Sequence, residues 1–108
     1  MKDVLNDLYE VIKARQTQPQ EGSYTCYLLD KGLDKILKKC GEECAEVIIA
    51  AKNAEPQELV GEICDLMYHL LVLMAAQGVP MESVAAELEK RSQKIGNLKQ
   101  FHQTDKDS

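Results

Sequence analysis

The chain has 108 residues, enough for one domain and too few for two of ordinary size. Hydrophobic residues at 44% beside charged residues at 29% describe a water-soluble globular chain. The net charge of -5 argues against general nucleic-acid binding, and with no Trp and one Phe there is little for bases to stack on.

Leu5, Leu8, Tyr9 and Ile12 recur at helical spacing and predict a first helix over about Lys2 to Ala14. Residues 16–23 are polar, with one Pro and one Gly, and read as a loop. Ser23 or Thr25 is suited to cap a short helical turn, which Gly32 interrupts. The second main helix should run from about Leu33 to Asn53. Its apolar stripe is Leu33, Ile36, Leu37, Cys40, Cys44, Val47, Ile48 and Ala51. Glu55-Pro56 breaks that pattern, and Pro56 suits the first turn of a third helix reaching Gln77. Gly78-Val79-Pro80 stops it, and a fourth, amphipathic helix covers about Met81 to Ile95. The expectation is an all-α domain over residues 1–97 with a polar, disordered tail over 98–108. No segment reads as a strand. The fold class is therefore an all-α helical bundle around a central antiparallel helix hairpin.

The third helix is apolar on more sides than a bundle of this size can cover. Ile49 and Ala50 also lie off the main stripe of the second. Both features predict a homodimer. Cys26, Cys40, Cys44 and Cys64 form no C-x-x-C pair, so neither a zinc ribbon nor a thioredoxin-like site is indicated. Cys40 and Cys44 fall in the apolar stripe and read as small buried hydrophobes in a reducing cytoplasm. Residues Met1 to Asn6 lack the apolar core of a signal peptide. The longest apolar run, Leu66 to Ala76, holds His69 and is too short to span a bilayer. A cytoplasmic protein without a membrane partner is expected.

The unusual feature is acidic. Glu42, Glu43 and Glu46 sit within the second main helix, and Glu62 and Asp65 within the third. Carboxylates are costly to bury unpaired. At 100° per residue, Glu43 and Glu46 lie on one flank of their helix with Lys39, and Glu42 points further round. In the third helix Glu62, Asp65 and His69 make a narrow polar strip on an otherwise apolar surface. The turn between these helices is centred near residues 54 and 55, about ten residues after one cluster and about nine before the other. An antiparallel hairpin brings the clusters level, so Glu43, Glu46, Glu62 and Asp65 can converge. All-oxygen ligands select a hard divalent cation, Mg²⁺ with Mn²⁺ as a substitute. A di-iron carboxylate bundle would want Glu-x-x-His, and here the second cluster is Glu-x-x-Asp.

Such a centre points to chemistry on something anionic, because a divalent cation neutralises negative charge and activates water. Lys39 is the lysine best placed to help; Lys38, Lys52 and Arg91 are further candidates for substrate binding, as are Ser23 and Tyr24 in the polar loop. The plainer alternative is a solvated charged face held by Lys38–Glu42 and Lys39–Glu43 pairs, with His69 bonded to Asp65.

The acids and their flanks carry a resemblance. Glu42-Glu43-x-x-Glu46 followed by Glu62-x-x-Asp65 resembles the signature of the all-α, MazG-like nucleotide pyrophosphohydrolases. Gly22-Ser23-Tyr24-Thr25, Lys35-Ile36-x-Lys38-Lys39-x-Gly41-Glu42-Glu43, Ala51-Lys52-Asn53 and Asp65-Leu66-x-Tyr68-His69 are similar to the phosphoribosyl-ATP pyrophosphatase family. The similarity spans about residues 3 to 95. It implies hydrolysis of 1-(5-phosphoribosyl)-ATP to the AMP form and pyrophosphate, the second step of histidine biosynthesis. It implies Glu43, Glu46, Glu62 and Asp65 as metal ligands, Glu42 as an outer or water-orienting carboxylate, and a dimer. It also implies a separate cyclohydrolase acting next in the pathway. A general nucleoside triphosphate pyrophosphatase shares the same acids, and a non-catalytic helical metal-binding or interaction module would keep only the apolar faces.

Overall fold

A computed structural model of the chain describes residues 3–93. They form five helices: α1 (Val4–Thr17), α2 (Tyr24–Lys31), α3 (Leu33–Lys52), α4 (Pro56–Gln77) and α5 (Met81–Ser92). The described residues contain no strand. The expected tail and the end of the fourth predicted helix near Ile95 lie outside the described residues.

Local chemistry accounts for the boundaries. The Asp3 carboxylate accepts from the Asn6 amide at 3.0 Å and starts α1. The helix continues three residues beyond the expected Ala14, through the good helix formers Arg15 and Gln16 to Thr17, and stops short of Pro19. Gln16 gains a tertiary partner there, its Nε2 donating to the Ala75 carbonyl at 3.0 Å. The segment expected as one helical turn is the eight-residue helix α2, capped by Ser23, whose hydroxyl accepts from the Cys26 amide at 3.1 Å. Gly32 separates α2 from α3 with φ 99°, a conformation that a side chain disfavours. Pro56 opens α4 as expected. Gly78 ends it in the left-handed region while the Val79 amide reaches back to the Met74 carbonyl at 2.9 Å.

The core lies where α1, α2, the first half of α3 and the second half of α4 meet. Ile12, Leu28, Ile36 and Val72 are fully buried, with Tyr9, Cys40, Leu71 and Ala75 around them. Removing such a side chain to Ala costs about 2–5 kcal/mol. Among the described residues the α3–α4 pair is the most extensive packing, and α5 buries no residue of its own. Cys40 of α3 meets His69 of α4 while Glu43 meets Glu62 and Asp65, so the two helices run in opposite directions.

The orientation of the two long helices departs from the simplest reading of their stripes. On α3 the buried line is Ile36, Cys40 and Ala50, with Glu43 and Val47 half-buried between them. Leu33, Leu37, Cys44, Ile48 and Ala51, the rest of the expected stripe, are exposed, as is Ile49. Among the cysteines only Cys40 is buried; Cys44 and Cys64 are exposed and Cys26 is half-buried. On α4 the polar strip runs from exposed Asp65 and half-buried Glu62 to His69 in the core, whereas Val60, Ile63, Met67 and Leu70 face outward. By length and composition α4 is apolar enough to cross a membrane. It nevertheless carries Glu62, Asp65 and His69 along the side packed on α3 and α2.

Candidate active site

Glu43, Glu62 and Asp65 each bring a carboxylate oxygen to within 4.8 Å of the other two. Helical spacing produces this: Glu43 shares the buried line of α3 with Cys40 and Val47, and Glu62 and Asp65 are one turn apart on α4. The Glu43 side chain is only 13% exposed. Glu62 is half-buried, whereas Asp65 and Glu46 face solvent in the single chain. The acids therefore form the floor of an open flank and not part of a closed core. Glu46 stands outside the tight group of three, yet its charge reaches Glu62.

The Glu62 carboxyl is held above its usual range, first by partial loss of solvent and then by the charges of Glu46, Asp65 and Glu43. Three negative groups so arranged favour a cation, and their oxygen-only chemistry matches a hard divalent one. The one basic group in contact with the cluster, among the described residues, is Lys39. Its Nζ lies 3.3 Å from Glu42 and 3.6 Å from Glu43. The hydrogen bond that Lys39 donates to Glu42 raises its pKa, with Tyr24 and Glu43 adding to it against desolvation. The expected Lys39–Glu43 pair thus forms, but Glu42 turns to Lys39 and not to Lys38.

An aromatic wall adjoins the acids. The Tyr24 ring stacks on Tyr27 and on Tyr68, each with centroids 6.0 Å apart. His69 stands edge-on to Tyr24 at 5.7 Å and to Tyr68 at 5.1 Å. Tyr24 Oη meets His69 Nε2 at 3.0 Å, and the Tyr68 hydroxyl meets the Thr25 hydroxyl. The other ring nitrogen, Nδ1, meets the Asp65 backbone carbonyl at 2.7 Å. His69 therefore does bond to Asp65, through the main chain and not the carboxylate. Desolvation raises the Tyr24 pKa against the lowering effect of Lys39, and Glu43 also raises it, so this hydroxyl lies within the electrostatic reach of the acid flank.

The remaining sequence candidates are less gathered. Ser23 caps α2, one residue before Tyr24. Lys38 and Lys52 are exposed on α3, and Arg91 pairs with Glu87 on α5 at 2.9 Å. A separate groove of about 1030 Å³ runs between the end of α1, the loop before α2 and the start of α3. Ser23 and Tyr24 line it with Arg15, Gln20 and Tyr27, but none of the five acids does. Tyr24 is thus the boundary between groove and acids. The Tyr68–Thr25 and His69–Tyr24 bonds were missed from sequence. Their only signal was the adjacency of Tyr24-Thr25 and of Tyr68-His69 in the resembling segments.

Comparison with known proteins adds a direct result. A family model described as phosphoribosyl-ATP pyrophosphohydrolase matches residues 5–92. A Listeria monocytogenes serotype 4b protein named phosphoribosyl-ATP pyrophosphatase is 62% identical over 96 residues, 89% of this chain and 92% of its own. A protein of the same name from Listeria welshimeri is 60% identical over 102 residues, covering 94% of this chain and 98% of its own. One from Clostridium botulinum Kyoto is 53% identical over 102 residues, covering 94% and 93%. With its acids, its helices and 88 consecutive residues (5 through 92) aligned to that pattern, the chain belongs to the phosphoribosyl-ATP pyrophosphohydrolase family.

Proposed function

We propose that this protein hydrolyses 1-(5-phosphoribosyl)-ATP to 1-(5-phosphoribosyl)-AMP and pyrophosphate in histidine biosynthesis, using Mg²⁺ held by Glu43, Glu46, Glu62 and Asp65. The names of its relatives support the substrate. The observation that carries the metal is the convergence of three carboxylates from two helices within 4.8 Å, with a fourth acid acting on them by charge.

The chemistry divides among the side chains. Mg²⁺, or Mn²⁺ in its place, supplies charge neutralisation along the phosphate chain and activation of the attacking water. Glu42, exposed and held by Lys39, accepts the proton of that water or orients it. Lys39 offers its charge to the phosphates from the acid flank. Ser23 and Tyr24 contact the substrate at the head of α2, next to the groove. Lys38 and Lys52 add positive charge from the exposed side of α3. Arg91 joins them only by leaving Glu87.

The exposed apolar faces of α3 and α4 support a cytoplasmic homodimer in which a second copy covers Leu37, Ile48, Ile63 and Met67. That cover also accounts for the apolar character of α4 without a membrane.

A substrate panel tests the activity. Turnover of phosphoribosyl-ATP should exceed that of ordinary, deoxy and noncanonical nucleoside triphosphates by roughly 100-fold or more. Preference for a nucleoside triphosphate would replace the reading with a general nucleotide pyrophosphatase. Metal binding without hydrolysis of any member would leave a non-catalytic helical module.

A further inference from the structure

Among the described residues His69 is the one buried polar residue of the core, 5% exposed, and the reaction as described above gives it no role. Both of its ring nitrogens are committed. Nδ1 lies 2.7 Å from the Asp65 carbonyl, and a carbonyl oxygen can only accept, so Nδ1 carries the proton. In the neutral imidazole a donor at Nδ1 leaves an acceptor at Nε2. With the ring neutral, the Tyr24 hydroxyl, 3.0 Å away, gives its single proton to His69. Its oxygen keeps lone pairs and no hydrogen for any other partner.

Tyr24 is 44% exposed, its ring stacked on Tyr27 and Tyr68, and it stands between the groove and the acids. We propose that His69 is a positioning residue that fixes the Tyr24 hydroxyl as a hydrogen-bond acceptor, so that Tyr24 takes a ribose hydroxyl of the substrate and not a phosphate oxygen. A phosphate oxygen is itself an acceptor and would find no proton there. The backbone of Asp65 thus sets, through one imidazole, which part of the substrate lies against α2. This rests on the reading that Tyr24 touches substrate.

Two measurements on the full chain test it. Nitrogen-15 NMR of the imidazole, identified by its loss in His69→Gln, should show a protonated Nδ1 and a bare Nε2. In steady-state assays with phosphoribosyl-ATP, Tyr24→Phe and His69→Leu should each lower kcat/KM by about 10-fold, the worth of one hydrogen bond. The double variant should be no worse than Tyr24→Phe alone, because His69 acts through the missing hydroxyl. His69→Gln, whose amide reaches the same point, should recover most of the loss. Thr25→Val breaks the neighbouring bond to Tyr68, and should lower Tm while leaving kcat/KM unchanged.

Unchanged kinetics for Tyr24→Phe would remove Tyr24 from the substrate and overturn the proposal with that reading. A slowed Tyr24→Phe with an additive loss of about 100-fold in the double variant would overturn the proposal alone. So would a proton on Nε2, or a kinetic loss in Thr25→Val equal to that of His69→Leu.

Discussion

Glu43 on α3 and Glu62 on α4 bring carboxylate oxygens within 4.8 Å of each other across the turn between the two helices. Without a cation that approach is repulsive, and Asp65 and Glu46 add to it. Mg²⁺ should therefore stabilise the native state. At a concentration 100 times its dissociation constant the gain is about 2.7 kcal/mol, provided the unfolded chain does not bind it. Thermal melts with and without Mg²⁺ at fixed protein concentration measure this. Glu43→Gln and Glu62→Gln should each abolish most of the gain; an undiminished shift in both would place the metal elsewhere.

The pH dependence has a defined sign. Glu62 has a folded pKa above its unfolded value, so its favourable contribution is full below the unfolded carboxylate range, about 4.3. It is lost as pH rises through the folded value. In metal-free protein, Glu62→Gln should accordingly raise Tm at neutral pH, with the difference shrinking below about pH 4. A difference between the two melts that does not change with pH would contradict the origin given for it.

Two helix ends predict opposite responses to one methyl group. Gly78 has φ 71° at the end of α4, and Gly78→Ala should cost about 1 kcal/mol. Ala54, with φ 58° in the turn after α3, already holds the strained conformation. Ala54→Gly should gain several tenths of a kcal/mol, the strain relieved exceeding the added freedom of the unfolded chain. Chemical denaturation with unchanged m-values checks both.

The apolar faces turned outward from α3 and α4 predict assembly. Sedimentation at micromolar protein should give the mass of two chains. Ile63→Glu, at an exposed position of α4, should shift it toward one. A single-chain mass for the unaltered protein would rule out the dimer.

The helices were largely legible because their punctuation is chemical. Pro56, Gly78 and Gly32 mark ends that no long-range contact needs to specify. The level meeting of Glu43 with Glu62 and Asp65 was legible too, since equal offsets from a short turn fix height in an antiparallel pair. The rotation of the helices about their axes was not. Both α3 and α4 are apolar on two sides, so periodicity cannot say which side meets its own chain. The structure chose Ile36–Cys40–Ala50 and left Leu37 and Ile48 outside. For the same reason Cys44 and Cys64 proved exposed, although Cys44 shares the stripe of Cys40. The hydrogen bonds of Tyr24 and Thr25 to α4 depend on where α2 docks, and sequence periodicity holds nothing about docking.

The most direct measurement is pyrophosphate release from phosphoribosyl-ATP as Mg²⁺ is titrated, for the unaltered protein and for Glu43→Gln. Saturable, Mg²⁺-dependent release that falls by at least about 100-fold in Glu43→Gln is the predicted result. Release independent of Mg²⁺, or undiminished in the variant, would contradict a catalytic centre built on these acids.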